Sequence, residues 1–166
     1  MHNTIASLDD RSSTVDLRQL KFRTDFKKQI IEWLDVLSTK NVSRNINIDS
    51  DFNILFGTEK LSQLSGSTLL RVILAIKAAF FDIYISSELS AFEFLIFDTP
   101  KQHDIETEHF AAFINKLKTT VSNKRAQIIF STTEYHYEPK ENDIEWTPNF
   151  SGAEQNMFLG VIPKEK

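Results

Sequence analysis

Phe92-Glu93-Phe94-Leu95-Ile96-Phe97 and Gln127-Ile128-Ile129-Phe130 are two short apolar runs, the first ending in Asp98-Thr99-Pro100 and the second in Ser131-Thr132-Thr133. Runs of this length that close on polar loop residues have the profile of strands buried on both faces, with their carboxyl ends at loops. Between them, Ile105, His109, Phe113 and Leu117 recur every four residues, which predicts a helix from about Ile105 to Ser122. The order strand, helix, strand with short connections predicts a parallel βαβ unit. The fold class that follows is α/β, a mostly parallel sheet with flanking helices.

Upstream, Leu69 to Ile85 is apolar on nearly every side, which predicts an enclosed helix capped by Ser67 or Thr68. Before it, Ile46-Asn47-Ile48 and Phe52-Asn53-Ile54-Leu55-Phe56 flank the turn-forming Asp49-Ser50-Asp51. They read as two short strands or a hairpin, the second closed by Gly57. From Val15 to about Lys40, Phe22, Phe26, Ile30, Trp33 and Leu37 follow one another at spacings of four, four, three and four, the stripe of a long amphipathic helix. Residues 1–14 are polar and aperiodic and are expected to form a flexible tail. Beyond Glu138, Trp146-Thr147-Pro148 and Met157 to Ile162 are candidates for an edge strand and a closing segment. The expected organisation is a tail over 1–14, a helix over 15–40 and one lobe over 41–166.

The 166 residues leave room for one compact domain with a short extension, at about 150 residues per domain. The absence of cysteine excludes disulfides and thiolate metal sites, and fits a cytoplasmic protein. The N-terminus lacks the basic and apolar regions of a secretory signal. Arg71, Lys77 and Asp82 interrupt the most apolar stretch, at about 2.5 to 3.5 kcal/mol each near a bilayer centre, so no membrane partner is expected. Charge is uneven. Residues 11–44 carry eight Lys/Arg against four Asp/Glu, whereas residues 86–110 carry six acids against Lys101 alone. The first imbalance makes nucleic acid a candidate partner, and the second suits a cation.

Three segments sit at the ends of expected elements: Leu64-Ser65-Gly66, Asp98-Thr99-Pro100 and Ser131-Thr132-Thr133. In an open α/β sheet the carboxyl ends of parallel strands share one edge, where ligands bind. The two strand-end segments are therefore expected to meet. An aspartate there can hold Mg²⁺ directly or through water, and Ser-Gly at a helix start turns backbone N–H groups toward an anion such as phosphate.

Leu64-Ser65-Gly66-Ser67-Thr68 resembles the ABC signature LSGGQ, and Phe94-Leu95-Ile96-Phe97-Asp98 resembles a Walker B strand. Lys101-Gln102-His103-Asp104 lies where a D-loop would follow, and Gln127 to Glu134 is similar to the strand and switch segment that usually ends in histidine. In this order, residues 15–134 resemble the C-terminal head lobe of an SMC-like ABC ATPase, with residues 15–40 as the stub of the returning coiled coil. The resemblance implies ATP and Mg²⁺ as cofactors and a place in DNA repair, maintenance or defence. It also implies site roles. Ser65 and the Gly66 amide, with Ser67 nearby, would meet the γ-phosphate of ATP on a partner head, and Asp98 would polarise the Mg²⁺-water shell. Gln102 and Asp104 would border the attacking water and the dimer seam.

Several positions depart from the family pattern. No Gly-Lys pair occurs, so the chain has no G-x-x-x-x-G-K-[ST] loop to cradle a β/γ-phosphate. The expected partner is an N-terminal head lobe or second head carrying Walker A. Thr99 stands where the catalytic glutamate would be, and a hydroxyl is a poor base at neutral pH. Thr133 replaces the switch histidine, and Ser67 replaces the second signature glycine. These threonines leave two alternatives, an ATP hydrolase active only within a complete head or a nucleotide-dependent clamp without turnover. A third reading gathers Asp98, His103, Asp104, Glu108 and His109 around a metal as in a hydrolase, although no H-E-x-x-H spacing appears.

Overall fold

The structure, a computed structural model, describes residues 2–87, 94–98, 105–131, 135–140 and 143–144, with residues 2–16 by backbone alone. The chain divides into two compact units, Met1–Tyr135 and His136–Lys166. The described residues of the first unit form three α-helices and two small sheets. Its elements run α1 His2–Val36, β1 Ile46–Ile48, β2 Ile54–Phe56, β3 Glu59–Lys60, α2 Gly66–Ile85, β4 Phe94–Phe97, α3 Thr107–Val121 and β5 Gln127–Phe130.

The βαβ unit is present. β4 and β5 pair in parallel from Phe94 opposite Gln127 to Phe97 opposite Phe130, and α3 connects them. Among the described residues the parallel sheet has these two strands and no mostly parallel larger sheet forms, because the remaining strands make a separate antiparallel meander, β1-β2-β3. Its tight turns dictate that direction, since parallel neighbours need a crossover of a dozen or more residues. Asp49 collects the first turn: its Oδ1 accepts from the amides of Asp51 and Asn53, both at 2.9 Å, and its Oδ2 accepts from Asn53 Nδ2. These bonds hold Phe52 at φ +62°, a left-handed position rare for an aromatic residue. Gly57, at φ +67°, makes the two-residue turn into β3.

Helix α1 runs from His2, so residues read as a flexible tail carry helical backbone. No glycine or proline lies between His2 and Val36 to interrupt it. Its end is a Schellman motif at Val36 rather than Lys40. Ser38 takes φ +49° and donates its amide to Asp35 O, and Thr39 donates to Leu34 O, both at 2.9 Å. The predicted stripe is the buried one: Phe26, Ile30, Trp33 and Leu37 are all buried, joined by Leu34.

Helix α2 starts at Gly66, ahead of the expected cap at Ser67 or Thr68, and packs on α1. It is not enclosed on every side, since Lys77 and Phe80 are exposed. Phe80 meets Phe22 and Phe26, with ring centroids 6.4 and 6.2 Å apart. On α3 the inward residues are Phe110, Phe113, Ile114 and Leu117. Phe113 lies at the centre of the core, 5.5 Å from both the Trp33 and Phe97 rings.

The strands expected to be buried on both faces are buried on one. Phe97 is buried, whereas Phe94, Ile96 and Ile129 are 50%, 54% and 46% exposed. Parallel sheets ordinarily have both faces covered by helices. Here the crossover helix α3 covers a single face, and among the described residues nothing covers the other.

In the second unit, Asp143 closes a short turn, accepting from the Tyr137 hydroxyl at 2.5 Å and the Lys140 amide at 2.8 Å. Trp146 to Pro148 and Met157 to Ile162 lie outside the described residues.

Candidate functional site

The turn before α2 is built by a single turn of 3-10 helix over Leu61–Gln63. Gln63 Oε1 accepts from the Lys60 amide at 2.7 Å. Leu64 is buried and anchors the turn, while Ser65 and Gly66 are exposed. Ser65 is the N-cap of α2 in extended backbone, yet its hydroxyl makes no capping bond. The first amides of a helix have no partner within it, so this end offers N–H donors and an uncommitted hydroxyl together. Gly66 sits at φ +55° with open space where a Cβ would be, so backbone conformation is what favours glycine there.

The two strand-end segments meet as expected. Asp98 follows β4 and Ser131 follows β5. The Ser131 amide donates to Phe97 O at 3.0 Å and its hydroxyl donates to Asp98 Oδ1 at 2.8 Å. The parallel register thus places a carboxylate and a hydroxyl side by side at one sheet edge. Ser65 and Gly66 belong to the start of α2 and Asp98 to the end of β4. Thr99, Gln102, Asp104 and Thr133, with His103, lie outside the described residues.

His109 does not join Asp98. Its Nδ1 lies 3.0 Å from Glu106 Oε2 and 3.2 Å from Arg71 Nη1. Among the described residues no group of three His, Cys, Asp or Glu side chains is placed to hold a metal ion. The described members of the hydrolase constellation, Asp98, Glu108 and His109, form no such group, and His103 and Asp104 lie outside the described residues.

Arg71 and Glu106 went unread as a pair in the sequence. Arg71 is 6% exposed on α2; its Nη1 donates to the carbonyl of Leu37 at the end of α1, and its Nη2 pairs with Glu106 Oε2 at the start of α3. The signal was available: an arginine inside an apolar helix is buried only with a partner. The Glu106 carboxyl is held down at about 2 by its own backbone N–H, then by His109 and Arg71. In contrast, burial raises the Asp82 carboxyl, against the opposing pull of Lys124 and Lys116.

Among the described residues no helix is long and apolar enough to cross a membrane. No family model matches the chain, and no curated protein matches it.

Proposed function

We propose that this chain is the C-terminal lobe of an SMC-like, ABC-type ATPase head. It would complete a composite ATP site with an N-terminal head lobe or second head that carries Walker A. The observation that carries the reading is the junction of Asp98 and Ser131 at the carboxyl edge of a parallel sheet that, among the described residues, has two strands and one uncovered apolar face. An edge of this kind is where α/β sheets take ligands, and the bare face suits the packing of further elements from a companion lobe.

ATP and Mg²⁺ fit the donors present. Ser65 and the exposed Gly66 amide are anion donors, with Ser67 beside them, and Asp98 is a hard oxygen ligand. Mg²⁺, when bound, supplies charge neutralisation for phosphoryl transfer. Ser65 and Asp98 would serve two half-sites, each reaching a different nucleotide across a dimer seam. Gln102 and Asp104 would border the attacking water. The basic balance of residues 11–44 supports DNA as a partner of the assembled head, in DNA repair, maintenance or defence, and the lack of cysteine agrees with the cytoplasm.

The test is reconstitution. The chain alone is expected to show little ATP affinity, and to gain Mg²⁺-ATP-dependent association when co-expressed with a polypeptide bearing a G-x-x-x-x-G-K-[ST] loop and coiled coil. Ser65→Arg should abolish that association without unfolding the chain. Tight ATP binding by the chain alone, or association indifferent to Ser65→Arg, would overturn the reading. Thr99 in the base position favours a second reading, a nucleotide-dependent clamp with negligible turnover. Thr99→Glu raising turnover in the reconstituted head would identify that position as the vacant base; unchanged turnover favours the clamp or Gln102.

A further inference from the structure

Three helices converge on one buried guanidinium. Arg71 lies five residues beyond Gly66 on α2, so it moves with the turn that carries Ser65. Its Nη1 donates to the carbonyl of Leu37, the residue between the end of α1 and the left-handed Ser38, and its Nη2 pairs with Glu106, the N-cap of α3. Glu106 lies eight residues beyond Asp98 in sequence. Ile105 is buried beside this junction. An arginine suits the position because its planar fork reaches acceptors in different directions at once, which a lysine ammonium on one stem does not.

We infer that Arg71 is a positioning residue that locks the end of α1 to the helix carrying the Ser65–Gly66 turn and to the start of α3. The functional part of this inference rests on the reading of the lobe proposed above; the mechanical part does not. The carboxylate of Glu106 is exposed, at 62% for its side chain, while Arg71 is enclosed. The joint can therefore be opened from the surface. With Glu106 released, the guanidinium keeps only Leu37 O and His109, and the start of α3 is no longer registered against α1. Spatial adjacency does not establish coupling, which needs a response at one site to a change at the other.

The experiment is amide hydrogen exchange on the full chain carrying Glu106→Gln, a surface change that leaves the core intact. Exchange should rise about tenfold at Phe110, whose amide bonds Glu106 O, and also at Ser38 and Thr39 in the α1 cap, while Gly57 in the meander keeps its protection. Arg71→Lys should give the same two-segment pattern. A rise at Phe110 alone, or a uniform rise that includes Gly57, overturns the lock. In the reconstituted head, Mg²⁺-ATP should protect Ser38, Thr39 and Phe110 together in the unaltered chain and fail to do so in Glu106→Gln. If the unaltered chain shows no response to ATP, the ATPase reading fails while the two-segment result still decides the lock.

Discussion

Ser131 donates its hydroxyl hydrogen to Asp98 Oδ1 across 2.8 Å, joining the ends of two parallel strands 33 residues apart in sequence. Both residues are exposed, so the bond holds geometry more than it holds the fold. Ser131→Ala is expected to lower stability by no more than about 1 kcal/mol in urea denaturation. Asp98→Ala should abolish Mg²⁺-dependent ATP binding by the reconstituted head while the melting temperature barely moves. Equal losses of stability and binding in both variants would make the pair a strand clip only.

Glu106 adds to the acid sensitivity of the fold. Its carboxyl titrates at about 2 in the folded chain against an ordinary 4.5. A depressed carboxyl contributes stability that is fully present above the unfolded value and is lost as pH falls through the folded one. Thermal melts should therefore lose temperature between about pH 4.5 and pH 2, and Glu106→Gln should flatten that decline. Asp49 is also depressed, chiefly by the Asn53 side chain, so Asp49→Asn should remove a separate part of the slope. An unchanged slope in Glu106→Gln would remove the Arg71–Glu106 pair from the acid response.

Ser38 occupies the left-handed position of the α1 cap at φ +49°. Only glycine adopts that conformation without a Cβ penalty. Ser38→Gly is expected to raise stability by about 0.5 to 1 kcal/mol in chemical denaturation, the reverse of what glycine does in a helix interior.

Phe113 joins α1, α3 and β4 through its contacts with Trp33, Phe110 and Phe97. Phe113→Ala should cost about 3 to 5 kcal/mol. Phe22→Ala, at a half-buried ring on the same α1 stripe, should cost less. A denaturation series that reverses this order would place the core elsewhere.

Much of this architecture was legible as local pattern. The spacing of Phe22, Phe26, Ile30, Trp33 and Leu37 identified the buried side of α1, and the two apolar runs with a helix between them identified the parallel pair. Their strand ends were expected to meet, and Asp98 and Ser131 do. What the pattern misplaced depends on tertiary packing. An unbroken apolar run reads as buried on both faces whether or not a covering layer exists, so the exposure of Phe94, Ile96 and Ile129 had no local sign. Helix ends shifted because Ser65 caps α2 through backbone conformation, with no bond from its side chain. Arg71 and Glu106 are 35 residues apart, beyond any helical or strand period.

Ile96 tests the bare sheet face directly. Ile96→Lys places a charge at an exposed position, so stability should stay within about 0.5 kcal/mol. Light scattering should show less self-association of the isolated chain, and pairing with a Walker A-bearing lobe should weaken. Severe unfolding would mean that the face is already packed in solution.

The sheet face left uncovered among the described residues also bears on how long the chain survives. Chaperones and proteases act on chains that present apolar surface to them, and parallel strands with open edges are aggregation-prone while they wait. If the face is the seam of the proposed head, a companion that shields Phe94, Ile96 and Ile129 would lengthen the life of the chain, and copies in excess of that companion would be degraded.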